Sequence, residues 1–335
     1  MPNDMHVHLR QDAMLGLVAP LTAKHFGRAL VMPNTTPPIL TGADASRYKA
    51  QIVLASKDVS FTPLMTIKLV QGTTPATIRE ARAAGVIAAK LYPVGVTTNS
   101  HDGVTDIDAL GAVFAEMAAC RMVLCLHAEE PGVYVIDREE RFLSKHLPWL
   151  CKNWPNLKIV VEHLTSAAGV GYVAAAGRNV AATITVHHLA LTLDDVIGGD
   201  LKPHHFCKPV AKRPADRDLL IQLATRGDRV FLGTDSAPHT QQKKECASGC
   251  AGVFTAPVAL AVLAEIFERE NALDQLDQFT SKASELFYRL PTSPIPLRVK
   301  LVKKEWTVPE FYGTEHRGVP FMAGRKLSWQ VEEVA

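Results

Sequence analysis

The sequence lacks four things: a Cys-x-x-Cys pair, a low-complexity linker, a marked excess of one charge, and an apolar run long enough to span a bilayer. Each absence narrows the field. Its six cysteines (Cys120, Cys125, Cys151, Cys207, Cys246 and Cys250) are unpaired by motif and come with no secretory signal, so free thiols are expected rather than a disulfide framework. Zinc binding by Cys246, Cys250 and a nearby histidine is the weaker alternative. The formal charge of +2 gives no electrostatic ground for a nucleic-acid or membrane partner. Short basic stretches such as "KLVKKE" (300–305) and "QQKKE" (241–245) read as solvated surface. The longest apolar run, "VFTAPVALAVLAEIF" (253–267), is interrupted by Pro257 and Glu265 and falls short of the roughly 20 residues a span requires. Asp4 and His6 stand where the apolar core of a signal peptide would be, so a soluble cytoplasmic protein is expected.

What is present is an ordinary globular balance, 47% hydrophobic and 21% charged over 335 residues, ample for a large core. Eight short apolar, β-branched runs recur at 4–9, 29–34, 61–67, 88–93, 122–129, 158–165, 181–189 and 229–236. Helix-like stretches such as 74–85 and 106–121 separate them. This rhythm predicts a parallel sheet with crossover helices, and eight such units predict a (β/α)8 TIM barrel. No linker interrupts it, so 1–335 is read as one domain, with the barrel over about 4–270. Helices near 253–270 and 280–291 and a strand-rich tail including "KLSWQVEEV" follow; the segment 271–335 is expected to pack on the barrel's outside.

Against that frame "NDMHVHLR" (3–10) stands out, because alternation in a strand puts His6 and His8 on one face roughly 7 Å apart. Two such imidazoles can grip one metal ion, although by themselves they are equally at home as hydrogen-bonded core histidines. In a barrel of this kind chemistry sits at the carboxyl ends of the strands. There the sequence places His6 and His8 (strand 1), Lys90 (strand 4), His127 (strand 5), His163 (strand 6) and Asp235 (strand 8). Imidazole and carboxylate suit zinc, with manganese, cobalt and iron open on ligand type. Four histidines and a carboxylate exceed the needs of one catalytic ion, so two are expected. A protonated Lys90 would be out of place beside them. Desolvation would favour its neutral, nucleophilic amine, and reaction with carbon dioxide would give a carbamate able to bridge two ions about 3.5 to 4 Å apart.

These residues carry a family resemblance. Through "DMHVHLR", "VMPN", "FTPLMT", "AAKLYP", "VTTNS", "LHAE", "EHLT", "VFLGTDSAPH" and "GCAGVFTAP", spread over essentially the whole chain, the sequence resembles the amidohydrolase superfamily and, within it, the short bacterial (class II) dihydroorotases. Only five residues precede the His-x-His, which favours that short type over hydantoinases and longer dihydroorotases. The resemblance implies that His6, His8 and Asp235 hold one zinc, that His127 and His163 hold a second, and that N6-carboxylated Lys90 bridges them. It further implies reversible cyclisation of N-carbamoyl-L-aspartate to L-dihydroorotate in pyrimidine synthesis. A metal-bridging hydroxide would be the nucleophile and Asp235 the general acid and base. A homodimer is the family's expectation.

The substrate carries a carboxylate, and Arg10, two residues beyond His8, faces the same side with a guanidinium that can bind it as a fork. The resemblance adds Asn34, His127 and His239, the backbone near Lys208 and Ala251, and Thr97 and Thr98 of a lid over 95–105. Without it, Arg10 would be an exposed strand-end residue, Asn34 a turn, His239 a loop histidine and 95–105 an ordinary mobile loop. Lys208 stands where the family commonly has an apolar residue. His25, His101, His146, His187, His188, His204 and His205 are left as structural or surface, with one of His187 and His188 facing the interior by strand alternation. Glu129, Glu130 and Glu162 are open between metal-site support and surface charge. Two rival readings stand: another cyclic amidase, hydantoinase- or allantoinase-like, and a catalytically silent dihydroorotase-like scaffold.

Overall fold

A computed structural model describes residues 1–291 and 299–333; of the expected tail, 292–298 and 334–335 lie outside the described residues. Eight parallel strands run in chain order: β1 (Asn3–Val7), β2 (Arg28–Val31), β3 (Thr62–Leu69), β4 (Ala88–Leu91), β5 (Val123–Leu126), β6 (Ile159–Val161), β7 (Val180–Ile184) and β8 (Val230–Leu232). A parallel bridge between Val7 and Ser236 joins the first and last strands. His6 and Ser236 carbonyls accept from Asp235 and His8 N–H at 2.8 and 3.0 Å. This is the TIM barrel that the eight-unit rhythm predicts.

The strands are buried on both faces, as a sheet covered by helices requires. One apolar layer lies between strands and helices and includes Val7, Val31, Leu91, Leu126 and Val161. A second fills the barrel itself with Met5, Leu30, Ala88, Val123, Val160, Ala181 and Phe231, closed off by Ala283 and Phe287. The helices start where the sequence supplies caps. Thr41 and Asp44 form a reciprocal box on Gly42–Ala55, Thr74 caps Pro75–Ala83, and Ser166 caps Ala167–Ala175.

Several predicted bounds shift. The apolar runs outlast the strands, because their last residues leave the ladder to form the barrel's mouth. The largest correction concerns 181–189: β7 stops at Ile184, Thr185 caps a new turn by accepting from His188 N–H, and Val186–Ala190 is helical. His187 and His188 therefore sit on a helix, both are buried, and strand alternation does not apply to them. The stretch 106–121 is a 3-10 turn (Asp108–Leu110) followed by the helix Gly111–Ala119, and 253–270 is helical only over Ala259–Arg269, since Val253 and Phe254 make bridges to Ser236 and Pro320. The region 280–291 opens with a π-helical turn, Gln278–Lys282, before Ala283–Tyr288.

The six cysteines are free thiols. Among the described residues no helix is long and apolar enough to cross a membrane. One basic residue read as surface is not: Lys244 is buried, its ammonium donating to the carbonyls of Phe206, Cys250 and Gly252 at 3.1, 2.8 and 2.7 Å. The tail forms the antiparallel pair β9 (Val299–Thr307) and β10 (Lys326–Glu333), lying on the helix Ala259–Arg269 with Trp329 Nε1 donating to Glu268 at 3.0 Å.

Candidate active site at the barrel mouth

The backbone bends twice to bring the expected ligands together. In β1 the register against β2 shifts between Asp4 and Val7, so Met5 points into the barrel while Val7 joins the outer layer. His6 and His8 then face the mouth. At the end of β6, Glu162 faces inward, and His163 adopts a left-handed backbone (φ 43°) that turns the next side chain to the same site. Asp235, after β8, is likewise left-handed (φ 44°). Left-handed backbone in non-glycine residues is uncommon and gathers at functional sites. Gly233 is required nearby, since a Cβ there would lie 2.8 Å from the Cβ of His6.

His6 Nδ1 meets Glu162 Oε2 at 2.8 Å, leaving Nε2 for Asp235 Oδ1 at 3.4 Å, and His8 Nε2 lies 3.0 Å from the same oxygen. One ligand atom from each of His6, His8 and Asp235 falls within 4.8 Å of the others. His127 repeats the pattern: Nε2 bonds Glu129 at 2.7 Å, and its ring lies against His163, centroids 4.6 Å apart. His163 is 5.1 Å from His6 in the same measure. A carboxylate on one ring nitrogen leaves the other oriented and basic, the arrangement that supports metal-bound histidines. Glu129 and Glu162 thus belong to the site, while Glu130 pairs with Lys145 and His146.

Lys90, on β4, lies close to this group, within electrostatic reach of Glu162, Asp235, His127 and His163. It is fully buried, its Nζ has no hydrogen-bond partner among the described residues, and it sits 5.2 Å from the Tyr92 ring centroid. Burial drives its pKa down against the pull of Glu162, Cys125 and Asp235. Burial also pushes Asp235 up, but His6 and His8 outweigh it and hold the carboxylate below its ordinary range. Burial, opposed by Asp235, takes His8 down to about 4. An orphaned amine among oriented imidazoles and an ionised carboxylate fits a metal centre in which that amine has become an anionic ligand.

The second half of the site is made by loops. Arg10, left-handed at φ 60°, donates from Nε to the Pro238 carbonyl at 2.7 Å, and its Nη2 lies 3.0 Å from His239 Nε2. His239 Nε2 also lies 3.2 Å from the Ala251 carbonyl, and as a neutral ring it can serve only one of these contacts at a time. Burial and the Arg10 charge lower His239 to about 2, so it is neutral. Asn34 donates to the Thr98 carbonyl at 3.2 Å and accepts on its own carbonyl from Asn99 at 2.9 Å. One cavity is lined by His6, His8, Arg10, Asn34, Thr97, Thr98, His127, His163, Lys208, Asp235 and Ala251; His239 lines an adjoining one with His8, Arg10 and Asn34. Lys90 lies beneath, outside both linings.

Two features escape the sequence. Tyr92 lines the cavity beside Lys90, and only its spacing of two from that lysine could have signalled it. Gly252 (φ 141°) could carry no side chain, because a Cβ would meet the Ala237 carbonyl at 2.2 Å. His187, His188 and Cys207 form a second buried cluster. His188 bonds Thr185 and the Pro209 carbonyl at 2.8 and 3.0 Å, and the Cys207 thiol donates to that carbonyl at 3.2 Å, which fixes the backbone on either side of Lys208.

Comparison with known proteins agrees with this geometry. The amidohydrolase family pattern matches residues 3–285, and the chain belongs to that family. Within it the chain falls among the dihydroorotases. It is 45% identical to a dihydroorotase of Azoarcus sp. (strain BH72) over 98% of this chain and 97% of the relative. The dihydroorotase of Saccharomyces cerevisiae, solved with 5-fluoroorotic acid, superposes with a TM-score of 0.93 at 37% identity, covering 99% of this chain and 97% of that one. The Campylobacter jejuni dihydroorotase gives 0.91 at 41%, covering 98% and 95%.

Proposed function

We propose that this chain interconverts N-carbamoyl-L-aspartate and L-dihydroorotate at a centre of two divalent ions, zinc foremost. The observation that carries the reading is the buried Lys90 Nζ, without a partner among the described residues, beneath a mouth lined by His6, His8, His127, His163 and Asp235, with a guanidinium at the same mouth. His6, His8 and Asp235 would hold one ion, His127 and His163 the other, and Lys90, carboxylated on Nζ, would join them. Ions so held supply a Lewis acid and a water ionised near neutral pH.

The chain's own residues do the rest. Asp235, held ionised, takes a proton during ring opening and returns it to the departing ring nitrogen, and the order reverses on cyclisation. Arg10 is fixed through Nε and Nη2, so its remaining N–H groups meet the substrate carboxylate as a preset fork, with His239 and the free Asn34 Oδ1 alongside. Backbone at Ala251 and Lys208 borders the ring, and Thr97 and Thr98 cover it from the 95–105 loop. This carboxylate-binding group favours dihydroorotate over hydantoin or allantoin, and the complete ligand set argues against a silent scaffold. Kinship extends the proposal to a cytoplasmic homodimer with all of 1–335 as one unit.

The test is to count bound metal per chain and assay ring opening of L-dihydroorotate on the same purified sample. About two ions per chain and chelator-sensitive turnover are expected. Bound metal with turnover only on hydantoin or allantoin would replace this reading with the broader cyclic-amidase one.

A further inference from the structure

Lys68 and Lys90 are register partners on β3 and β4, and both approach the ring of Tyr92, at 5.9 and 5.2 Å. Lys90 has no hydrogen-bond partner among the described residues, but Lys68 does. Although Lys68 is only 1% exposed, its ammonium reaches out of the barrel to the 95–105 loop, donating to the Asn99 carbonyl at 2.8 Å and to the carboxylate of Asp102. The crest of the loop is tied to itself: Ser100 bonds Thr97 in both directions (3.0 and 2.6 Å), and its carbonyl accepts from Gly95 and Gly103 N–H, each at 2.9 Å. It forms a small closed unit that would move as one piece. Its far end is fixed separately, Val104 N–H donating to the Tyr92 carbonyl at 2.8 Å and Thr105 N–H and Oγ1 donating to Gln71 Oε1 at 3.2 and 3.1 Å; over the crest, 97–102, Lys68 and Asn34 are the barrel groups that hold it among the described residues.

From this we infer that Lys68 is a positioning residue: with Asp102 it latches the loop so that Thr97 and Thr98 stand over the substrate. The inference rests on the dihydroorotase reading for what the loop covers. The latch itself follows from charge. If the loop lifted away, the Lys68 ammonium would give up the charge-assisted bonds to Asn99 and Asp102 that the loop supplies. Lys68 is the register partner of Lys90, so the latch is anchored on the strand beside the one that carries it.

The test uses the full chain with its metals, comparing wild type with Asp102→Asn, Asp102→Glu and Lys68→Met. Amide hydrogen exchange over 95–105 is measured without substrate, and kcat and KM are measured with dihydroorotate, alongside metal content. Asp102→Asn and Lys68→Met should each speed exchange in the loop about tenfold and lower kcat/KM about tenfold, chiefly through KM, as expected for a lost charge-assisted hydrogen bond. Metal content and exchange elsewhere should hold, and Asp102→Glu, which restores the carboxylate, should recover most of both losses. Should Lys68→Met fail to fold, the loop-borne Asp102 pair decides alone. Unchanged loop exchange in Asp102→Asn would overturn the latch. Faster exchange in a protein whose wild type never turns over dihydroorotate would keep the latch and reject the function.

Discussion

The half of this site proposed to hold metal and the half proposed to hold substrate are built by different means. His6, His127 and Lys90 sit on or directly after barrel strands, are at most 1% exposed, and are oriented by carboxylates or by enclosure. Arg10, Asn34 and His239 sit on loops and reach main-chain carbonyls of other segments, those of Pro238, Thr98 and Ala251, and Thr98 is held in turn by the Asn34 amide. The contrast teaches where rigidity comes from. Strand ends position groups through the barrel's hydrogen-bonded frame, whereas the loops need a partner for each residue they place. Damage to the first half should therefore remove the chemistry, and damage to the second should loosen binding.

The sharpest way to break that division is Lys90→Ala. Turnover should fall at least about a thousandfold, because losing a bridging ligand should disperse the pair of ions. Metal content should drop with it, and a short carboxylate such as acetate, supplied in solution, should restore part of both. Two retained ions and full activity without added carboxylate would remove the bridge from the proposal. Glu162→Gln should come next. The side chain keeps an oxygen for His6 Nδ1 and Thr183 Oγ1, 2.8 and 2.6 Å away in the native site, but loses the charge. Metal affinity or activity should weaken about 10- to 100-fold, read by titrating a competing chelator; a loss confined to KM would place Glu162 with the substrate half instead.

On the loop side, Arg10→Lys keeps the charge and discards the fork. Its expected effect is about a tenfold rise in KM with metal content unchanged. Steady-state kinetics on dihydroorotate decide it, and a fall in bound metal would show that the two halves are not separable at Arg10.

The same contrast explains what could be read from the sequence. Strand-borne candidates recur with the βα rhythm, so the meeting of His127, His163 and Asp235 at one mouth is legible from spacing in a barrel. Alternation failed where the backbone departs from strand geometry. It did not anticipate the register shift in β1, the left-handed His163 that lets Glu162 and its neighbour share one face, or the helical turn under His187 and His188. The carbonyl partners of Arg10 and His239 leave no residue signature at all, since any side chain could be attached to them. Lys244 was misread for a related reason. Two lysines in "QQKKE" look solvated as a pair, yet one of them points inward to three carbonyls.

Lys244 yields the smallest effect and the finest test of how the loop half is held. Its ammonium ties Phe206, Cys250 and Gly252 together beside the backbone of Ala251, which lines the cavity. Burial, against attraction from Cys207 and Cys250, lowers its pKa to about 8, below the value of about 10.4 in an unfolded chain. Between those two values the unfolded state binds more protons than the folded one, so stability at this position rises with pH across that interval and is level below about 8. Lys244→Met has no such proton to release. Unfolding free energies measured from pH 7 to 10.5 should therefore show the wild type gaining on the variant as pH rises above about 8. Parallel profiles would mean that the three carbonyls stabilise the charged form as well as water does, and that this corner of the site is held by hydrogen bonds without the penalty of burial.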